Sequence, residues 1–491
     1  MKSIWLTCAR FLKLREPPPM RCKSKNVAAV SVTVLALLPS LAAAADLDGA
    51  QLGLTWALPF AGLLLSIALM PLIVPAFWHR HFGKVTAAWG LAFFVPFAAA
   101  FGLQTAGAGL VHALLAEYIP FIILLTALFT VAGGIYIRGN LHGSPALNCS
   151  LLMVGVVLAS FMGTTGASML LIRPLIRAND NRQHKAHLVV FFIFLVSNVG
   201  GSLTPLGDPP LFLGFLKGVE FFWTARYLWP ETLFMVASLL MIFYFVDCYY
   251  FKKEGVIPTD PTPDNGRPGF DGAANFWLLA LIAALVLMSG VWKPQWSVSI
   301  AGTTLGLPGI VRDVGLVLIT LISLRTTAKS VYQSNQFSWA PMQEVAKLFA
   351  GIFLTIIPVM AMLQAGLDGP FKALVAGITR PDGLPDPVMY FWVTGLLSSL
   401  LDNAPTYLVF FNTAGGDVQW LMTTGASTLA AISAGAVFMG ALTYIGNAPN
   451  LMVKSVAENL GVNMPGFFAY MVWSGAILLP LFFIMTLIWI R

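Results

Sequence analysis

Residues 197–210 read SNVGGSLTPLGDPP and lie in the middle of a hydrophobic segment that runs from about residue 188 to residue 219. A stretch so rich in glycine and proline cannot continue a helix. In lipid, non-helical backbone is tolerated only where it is buried in protein or lines a wet cavity. The stretch therefore predicts an interrupted membrane helix, and the ionisable Asp208 at the break is a candidate functional residue.

A second interruption occurs about 240 residues later, where residues 443–450 read TYIGNAPN. Aligning the two stretches places Thr204 opposite Thr443, Gly207 opposite Gly446 and Asp208 opposite Asn447. Paired interruptions at matching positions of two halves are typical of the binding site of a secondary transporter. The pattern therefore predicts an ion-coupled secondary transporter.

The composition points to a membrane protein. The chain has 491 residues, of which 58% are hydrophobic and 10% charged, and its mean hydropathy is +0.80. Several apolar runs reach the roughly 20 residues that span a bilayer, which predicts an all-α polytopic membrane protein. The net charge of +7 comes from Lys and Arg in short loops between apolar runs, so it does not indicate nucleic acid. No phosphate-binding or catalytic motif appears, which argues against an enzyme or an ATP-driven pump, and no cofactor is expected.

The N-terminus carries the features of a secretory signal. Residues 21–45 contain a basic region, a short apolar run and four alanines before Asp46. These features predict a signal peptide, with an ordinary first helix as the alternative. Residues 1–19 would then be an upstream extension, and residues 1–45 are excluded from the fold prediction.

The rest of the chain is expected to form two repeats, at residues 46–250 and 272–491, with a cytoplasmic linker at residues 251–271. Each repeat is predicted to hold three spans, a re-entrant hairpin, a broken helix and a final helix, giving about ten full spans and two hairpins. The hairpins are placed at residues 146–178 and 386–413, with polar tips GTTGAS at 163–168 and DNAPT at 402–406. The loop charges orient the repeats oppositely, in a bacterial inner membrane with the basic loops in the cytoplasm.

Four short stretches, in the two hairpins and the two broken helices, carry a resemblance to the ion-transporter superfamily. Residues 198–208 and 398–405 resemble the broken helix and second hairpin of the bacterial D-type sodium:proton antiporters, whereas residues 446–450 are more similar to the citrate and arsenite carriers. The resemblance implies that the two hairpin tips meet the two broken helices near the bilayer midplane. It also implies a homodimer.

The candidate ion ligands are the polar residues of these four stretches. Sodium is a hard cation that suits carboxylate, carbonyl and hydroxyl oxygens. Asp208 and Asp402 are proposed to bind sodium directly, and the glycines to mark backbone bends. The remaining candidates are Thr164, Thr165, Ser168, Asn198, Ser202, Thr204, Gly207, Asn403, Thr406, Thr443, Gly446 and Asn447.

The two aspartates allow more than one interpretation. A lone carboxylate in the membrane costs about 2.5–3.5 kcal/mol, so it should be protonated or paired with a cation, and alternating between these states would exchange sodium or lithium for protons by alternating access. A cation-coupled transporter of citrate or a related carboxylate is the second function, and a passive ion channel is the third. Structurally, Asp208 and Asp402 could instead cap the helices that follow them. Serine and threonine hydroxyls could bond back to their own helices.

Other ionisable residues are expected to have ordinary roles. Asp247, Asp313, Glu344 and Glu458 lie near predicted span ends, where solvated carboxylates are common. The histidines form no metal-ligand pair within a span, and a proton-relay role is not expected for them.

Overall fold

The structure is a computed structural model that describes residues 47–139, 141–255 and 269–490. The predicted signal peptide and most of the predicted linker lie outside the described residues. The chain is an all-α polytopic membrane protein. Within the described ranges, eight helices are long and apolar enough to cross a membrane, or nine if one pair bent by 47° counts as a single span. The broken helices predicted from sequence are absent from this count because each half is too short to pass alone.

The first half forms the predicted series of three spans, a hairpin, a broken helix and a final helix. Its helices are α1 (Leu58–Ile73), α2 (Pro75–Phe101), α3 (Leu103–Gly133), α4 (Pro145–Met162), α5 (Thr164–Ala178), α6 (Ala186–Leu195), α7 (Pro209–Leu216) and α8 (Trp223–Lys253), with β1 (Tyr136–Arg138) after α3 and a 3₁₀ turn at Val199–Gly201.

The second half repeats the series. It begins with β2 (Gly269–Asp271), α9 (Ala274–Val291), β3 (Ser297–Ile300), β4 (Thr303–Gly306), α10 (Leu307–Thr326) and α11 (Lys329–Ser334). It continues with α12 (Ala340–Thr355), α13 (Ile357–Gln364), α14 (Lys372–Gly377), α15 (Pro387–Leu400), α16 (Asn403–Thr413), α17 (Val418–Met422), α18 (Ala426–Phe438), α19 (Ala448–Asn459) and α20 (Phe467–Trp489). The residue boundaries of the two repeats stay a prediction.

Two helix boundaries differ from those that the hydrophobic runs predict. The runs predict a second span at residues 86–104, but α2 begins at Pro75, so the basic residues around Arg80 lie on a helix rather than in a loop. They predict a third span at residues 118–137, but α3 begins at Leu103 and includes a π-helical segment, Ala113–Tyr118. Glycine and mixed polar residues obscure the hydrophobic run in both places, whereas packing against neighbouring helices keeps the backbone helical.

The two hairpins open toward opposite ends of the molecule. The first hairpin (α4 and α5) opens toward the end that holds β1, because Gly143 N donates to Ala178 O at 2.6 Å and Arg177 Nη2 donates to Ile137 O at 3.0 Å. This end, called the sheet end, also carries the antiparallel pair β1–β2. The second hairpin (α15 and α16) opens toward the other end, where Asn412 Oδ1 accepts from Gln364 at the end of α13. The opposite openings agree with inverted-topology repeats.

Local sequence explains how each hairpin begins. Ser144 caps α4 by accepting from Leu147 N, and Asp386 caps α15 by accepting from Val388 N. A proline follows each cap. Proline is tolerated there because the N–H of the first helical residue has no partner within the helix. The two hairpins therefore begin with the same cap-and-proline signal.

Burial separates the helices into a core and an outer layer. Two helices are buried on every face: α6, the first half of a broken helix, apart from its first residue, and α16, the second arm of the second hairpin. Neither has a polar stripe that faces solvent. The long helices of the outer layer, by contrast, expose large apolar side chains such as Leu65, Val95 and Leu318 on one side. Such side chains suit a lipid-facing surface, so the hairpins and broken helices form the protein-enclosed core.

Candidate functional site

The two hairpin tips and the two broken helices meet at one place, as the resemblance implied. Within the core, the second arm of each hairpin packs against the second half of the other repeat's broken helix: α5 against α19, and α16 against α7. The first arms pack against the broken helix of their own repeat. This cross-packing brings the first turns of α5, α7, α16 and α19 together.

Asp208 lies at the centre of this meeting point and is 1% exposed. Its Oδ1 accepts from Thr164 Oγ1 at 2.9 Å and from Asn447 Nδ2 at 3.2 Å. Its Oδ2 accepts from Asn403 Nδ2. The carboxylate thus receives hydrogen bonds from the first hairpin, the second hairpin and the second broken helix.

The capping alternative fails for Asp208. This residue occupies the N-cap position of α7, but its side chain accepts no hydrogen bond from that helix among the residues the structure describes. The carboxylate points to the three side chains above because α7 begins where the repeats cross. An acid that joins three elements of the core is placed to respond to a ligand there.

Asp402 behaves differently, since it does cap the helix that follows it. Its carboxylate accepts from Ala404 N at 3.1 Å, the first turn of α16. The residue is partly exposed and lines the same cavity as Asp208. Asp402 therefore both caps α16 and lines the cavity.

The cavity beside Asp208 has one polar wall and one apolar wall. The polar wall is formed by Thr164, Thr165, Gly207 and Asn447 together with the two aspartates. The apolar wall comes from the third spans of the two halves, which contribute Phe121, Leu124, Leu125, Leu128, Phe129, Pro341, Met342, Val345 and Phe349. The cavity therefore lies between the core and the surrounding spans.

A constant spacing relates the two halves of the site. Asp208 and Asn447 are 239 residues apart, and the same spacing relates Gly163 to Asp402 and Thr164 to Asn403. In each half, a threonine of the broken helix also bonds to its own hairpin: Thr204 Oγ1 donates to Ser160 O, and Thr443 Oγ1 donates to Ser399 O. These two threonines support the site from behind.

Glycines allow the broken backbone to fold tightly at both breaks. A Cβ on Gly207 would lie 2.2 Å from the carbonyl oxygen of Gly201, and one on Gly446 would lie 2.6 Å from that of Gly440. Side chains do not fit at either position. The two predicted glycines thus have a backbone role, and Gly207 also lines the cavity.

Asn198 and Asn450 join the two broken helices. Asn198 Nδ2 donates to Asn450 Oδ1 at 2.8 Å, and its own Oδ1 accepts from Asn447 Nδ2 at 3.3 Å. Asn450 was part of the quoted motif but was not among the predicted ligands. Its position three residues after Asn447, on the next helical turn, is the signal that could have indicated it.

Three predicted ligands bond elsewhere. Ser168 shares a hydrogen bond with Ser197 at 2.9 Å, and Ser202 shares one with Thr232 of α8 at 2.7 Å. Thr406 bonds back to Asp402 O within its own helix at 2.9 Å, the alternative that apolar helices favour. These hydroxyls stabilise the core around the site rather than pointing at Asp208.

Asp247 is not the solvated carboxylate that its sequence position suggested. It is fully buried at the sheet end of the core and binds Arg182 Nη2 at 2.7 Å, His187 Nε2 at 2.9 Å and Asn148 Nδ2 at 2.8 Å. The cluster joins both arms of the first hairpin to α6 and α8. Sequence reasoning missed it because its members are up to 99 residues apart.

The site has no group of three or more His, Cys, Asp or Glu side chains that could hold a metal, and none was found elsewhere in the part of the chain that the structure describes. Its oxygen donors are hydroxyls, amides, backbone carbonyls and two carboxylates. Asn403 Oδ1, which is buried, has no hydrogen-bond partner among the described residues. Such a donor set suits an alkali cation that passes through the site as cargo.

Comparison with known proteins gives one family and several relatives. The profile of the family CitMHS_2, described as "Putative citrate transport", matches residues 49–490. The "46 kDa membrane protein" of Mycobacterium leprae is 26% identical over 328 residues, which cover 65% of this chain and 71% of that protein. A protein of Mycobacterium tuberculosis named "Uncharacterized transporter" is 24% identical over 329 residues, with the same coverage. The family match spans both halves of the site.

Proposed function

The chain belongs to the CitMHS_2 family, and on that premise we propose that it carries citrate or a similar carboxylate across the bacterial inner membrane together with a coupling cation. The chain is a multi-pass membrane transporter rather than an enzyme. Its family and relatives support an ion-transporter family in general, not the D-type sodium:proton antiporters in particular. The carboxylate function thus ranks above the exchange of sodium for protons that the sequence favoured.

The observation that carries the proposal is the set of helix N-termini at the cavity. Thr164, Pro209 and Ala448, the first residues of α5, α7 and α19, line the cavity, and so does Asp402, which caps α16. A helix N-terminus carries about +0.5 of an elementary charge from the aligned peptide dipoles, so it favours an anion beside it. Four such ends favour a substrate with several carboxylates.

The two aspartates supply the reason for coupling. They are the charged side chains among the described residues that line the cavity, and both would repel a carboxylate substrate. A cation bound between them would remove this repulsion. Asp208, Asp402 and the unpartnered Oδ1 of Asn403 offer it oxygen ligands, so substrate and cation would bind together.

The apolar wall supports alternating access. The core would move against the third spans, which present apolar side chains such as Phe121 and Phe349 to the cavity. One ion pair also bridges this boundary, between Lys217 at the end of α7 and Glu117 in the π-helical segment. Apolar contact can slide with little cost, whereas the ion pair would have to break when the core moves.

Sodium:proton exchange is the second candidate, because two acids with no basic side chain line the cavity. In that case each aspartate would hold a proton or a sodium ion in turn. A homodimer also remains a proposal, and it is not needed for either function.

The experiment that separates these functions is transport by the purified full-length protein in proteoliposomes. Uptake of radiolabelled citrate is measured under an imposed sodium gradient, an imposed proton gradient or neither. A pH-sensitive dye inside the same vesicles reports sodium-driven proton movement without citrate. Gradient-dependent citrate uptake is the expected result. Sodium-driven proton movement without citrate uptake would overturn the carboxylate proposal and favour exchange.

A further inference from the structure

Glu231 is a buried acid that belongs neither to the cavity nor to the cluster around Asp247. It lies eight residues after the start of α8 at Trp223, about 12 Å along the helix. The residue is 6% exposed, and its Oε2 has no hydrogen-bond partner in the described part of the chain. An acid within an apolar span marks a functional site by default.

Among the residues that the structure describes, the surroundings of Glu231 contain no basic partner for it. The helices that pack against α8 are α4, α6, α18 and α20, and their described residues include no Lys or Arg. Their ionisable groups are Cys149, His187 and Tyr470; His187 binds Asp247 at the sheet end, and Tyr470 donates to Ala441 O at 2.8 Å.

The basic residues nearest in sequence have other partners. On α8 itself, the exposed Arg226 lies 3.9 Å from Glu220. Before α8, Lys217 is paired with Glu117. Asp208 and Glu220, on the segments that lead into α8, are themselves acidic.

Three acids outside the cavity, with buried or half-buried side chains, show what is missing at this position. Glu117 is paired with Lys217, Asp247 with Arg182, and Asp313 with Arg312 at 2.8 Å. Glu231 lies instead on the face of α8 that carries Leu228, Met235 and Leu239, each 0% exposed. An ionised carboxylate without a basic partner is strongly disfavoured there, so the neutral, protonated carboxyl group is favoured.

The helix that carries Glu231 is tied to the broken helix of the site. Thr232, the next residue, shares a hydrogen bond with Ser202 at 2.7 Å, and Thr224 Oγ1 donates to Leu203 O at 3.0 Å. Ser202 and Leu203 belong to the unwound segment that leads to Asp208. A change at this part of α8 therefore reaches the segment that positions the central acid.

From this geometry we infer that Glu231 is a proton-binding site of the transport cycle, which takes up a proton on one side of the membrane and releases it on the other. The inference deepens the proposed function, on which it rests, by naming the proton as a coupling ion. The carboxylate oxygen gains the proton to form a neutral carboxyl group, and no other bond changes. Asp208 and Asp402 would then serve substrate and cation, and Glu231 the proton.

The test compares wild type with Glu231→Gln, a neutral side chain of the same shape, in proteoliposomes. Citrate accumulation driven by a pH gradient is measured beside citrate exchange between equal pools, which needs no net proton movement. Losing one coupled proton lowers the accumulation ratio by about tenfold for each unit of pH difference, whereas exchange continues. Thr232→Val is the matched control, because it removes the bond to Ser202 and keeps the acid. This control should leave the accumulation ratio unchanged and should change the rates of pH-driven uptake and of exchange by the same factor.

A second readout does not depend on transport. Infrared difference spectra of the purified protein, recorded across a pH titration, should show a carboxyl C=O band that Glu231→Gln removes. The proposal is overturned if this variant keeps both the band and pH-driven accumulation. If the band is assigned to Glu231 but wild type moves no citrate, the proton site stands and the proposed substrate fails. If Glu231→Gln does not fold, Glu231→Asp must shift the band and the pH dependence of uptake, and unchanged values would overturn the proposal.

Discussion

The two halves of the site use the same backbone but place their acid differently. In the first half the acid, Asp208, stands on the broken helix, and the hairpin tip offers Gly163 and Thr164. In the second half the acid, Asp402, stands on the hairpin tip, and the broken helix offers Asn447. Asp208 is buried and receives three side-chain hydrogen bonds, whereas Asp402 is partly exposed and caps a helix.

This difference suggests a division of labour between nearly symmetric halves. A symmetric pair of acids on both broken helices would place two like charges at the crossing point, which is unfavourable in a low-dielectric core. Moving one acid to a hairpin tip keeps two charges at the cavity and separates them. Under the proposed function, Asp208 would organise the core and Asp402 would face the coupling cation.

The largest effect is expected at Asp208. Asp208→Asn removes a charge that holds three donors, and each bond to a charged group contributes about 1.5–3 kcal/mol, so transport should fall by about 100-fold or more. Citrate uptake in proteoliposomes measures this, with yield and monodispersity of the detergent-purified protein as the folding control. Uptake within about threefold of wild type would refute a central role for the carboxylate.

Exchanging the two broken-helix residues sharpens the comparison. In the double variant Asp208→Asn with Asn447→Asp, the acid stands on the second broken helix instead of the first. The two positions are adjacent, because Asn447 Nδ2 lies 3.2 Å from Asp208 Oδ1 in the wild type. Uptake should recover to about a tenth of wild type, since the charge is restored but its partners are not. Asn447→Asp alone adds a like charge there and is the matched control. A double variant no better than Asp208→Asn would mean that the halves are not interchangeable.

Substitution of Asp402 should have a smaller effect, which can be separated into the loss of a charge and the loss of a helix cap. Asp402→Asn keeps the cap, because asparagine is a good N-cap residue, but it removes the charge, so the affinity for the coupling cation should fall about tenfold. Asp402→Ala should lose about 1 kcal/mol of stability as well. Cation-dependent uptake curves and thermal unfolding of the two variants measure these losses separately. Equal stability of the two variants would show that the cap contributes little.

The smallest effect is expected where the halves are most alike. Thr204→Val and Thr443→Val each remove one hydroxyl that ties a broken helix to its own hairpin. Each should cost about 1–3 kcal/mol of stability, and the two costs should be of the same order. Each substitution leaves a hairpin carbonyl unpaired, together with the backbone N–H of Leu206 in the first half or of Ile445 and Gly446 in the second. Thermal unfolding measures both. A large inequality would indicate that one half is held more tightly than the other.

Much of the fold follows from the sequence. The breaks at residues 197–210 and 443–450 contain glycines and prolines that exclude a continuous helix, and their long apolar flanks require a membrane span. The hairpins at residues 146–178 and 386–413 follow from a polar tip between two apolar arms. These are local properties, so a single sequence suffices to locate them.

The tertiary structure decided which side chains meet. From the sequence, Ser168, Ser202 and Thr406 were predicted as ligands just as Thr164 was. Whether a hydroxyl points toward Asp208 depends on the packing of helices that are distant along the chain. The tertiary structure also decided that Asp208 is not a cap, and that Asp247 and Glu231 are buried, with a basic partner for Asp247 and none for Glu231 in the described ranges. Composition and spacing determine where a helix breaks, because that depends on neighbours in the chain. The charge environment of an acid depends on neighbours in space, and these are set by the crossing of the two repeats.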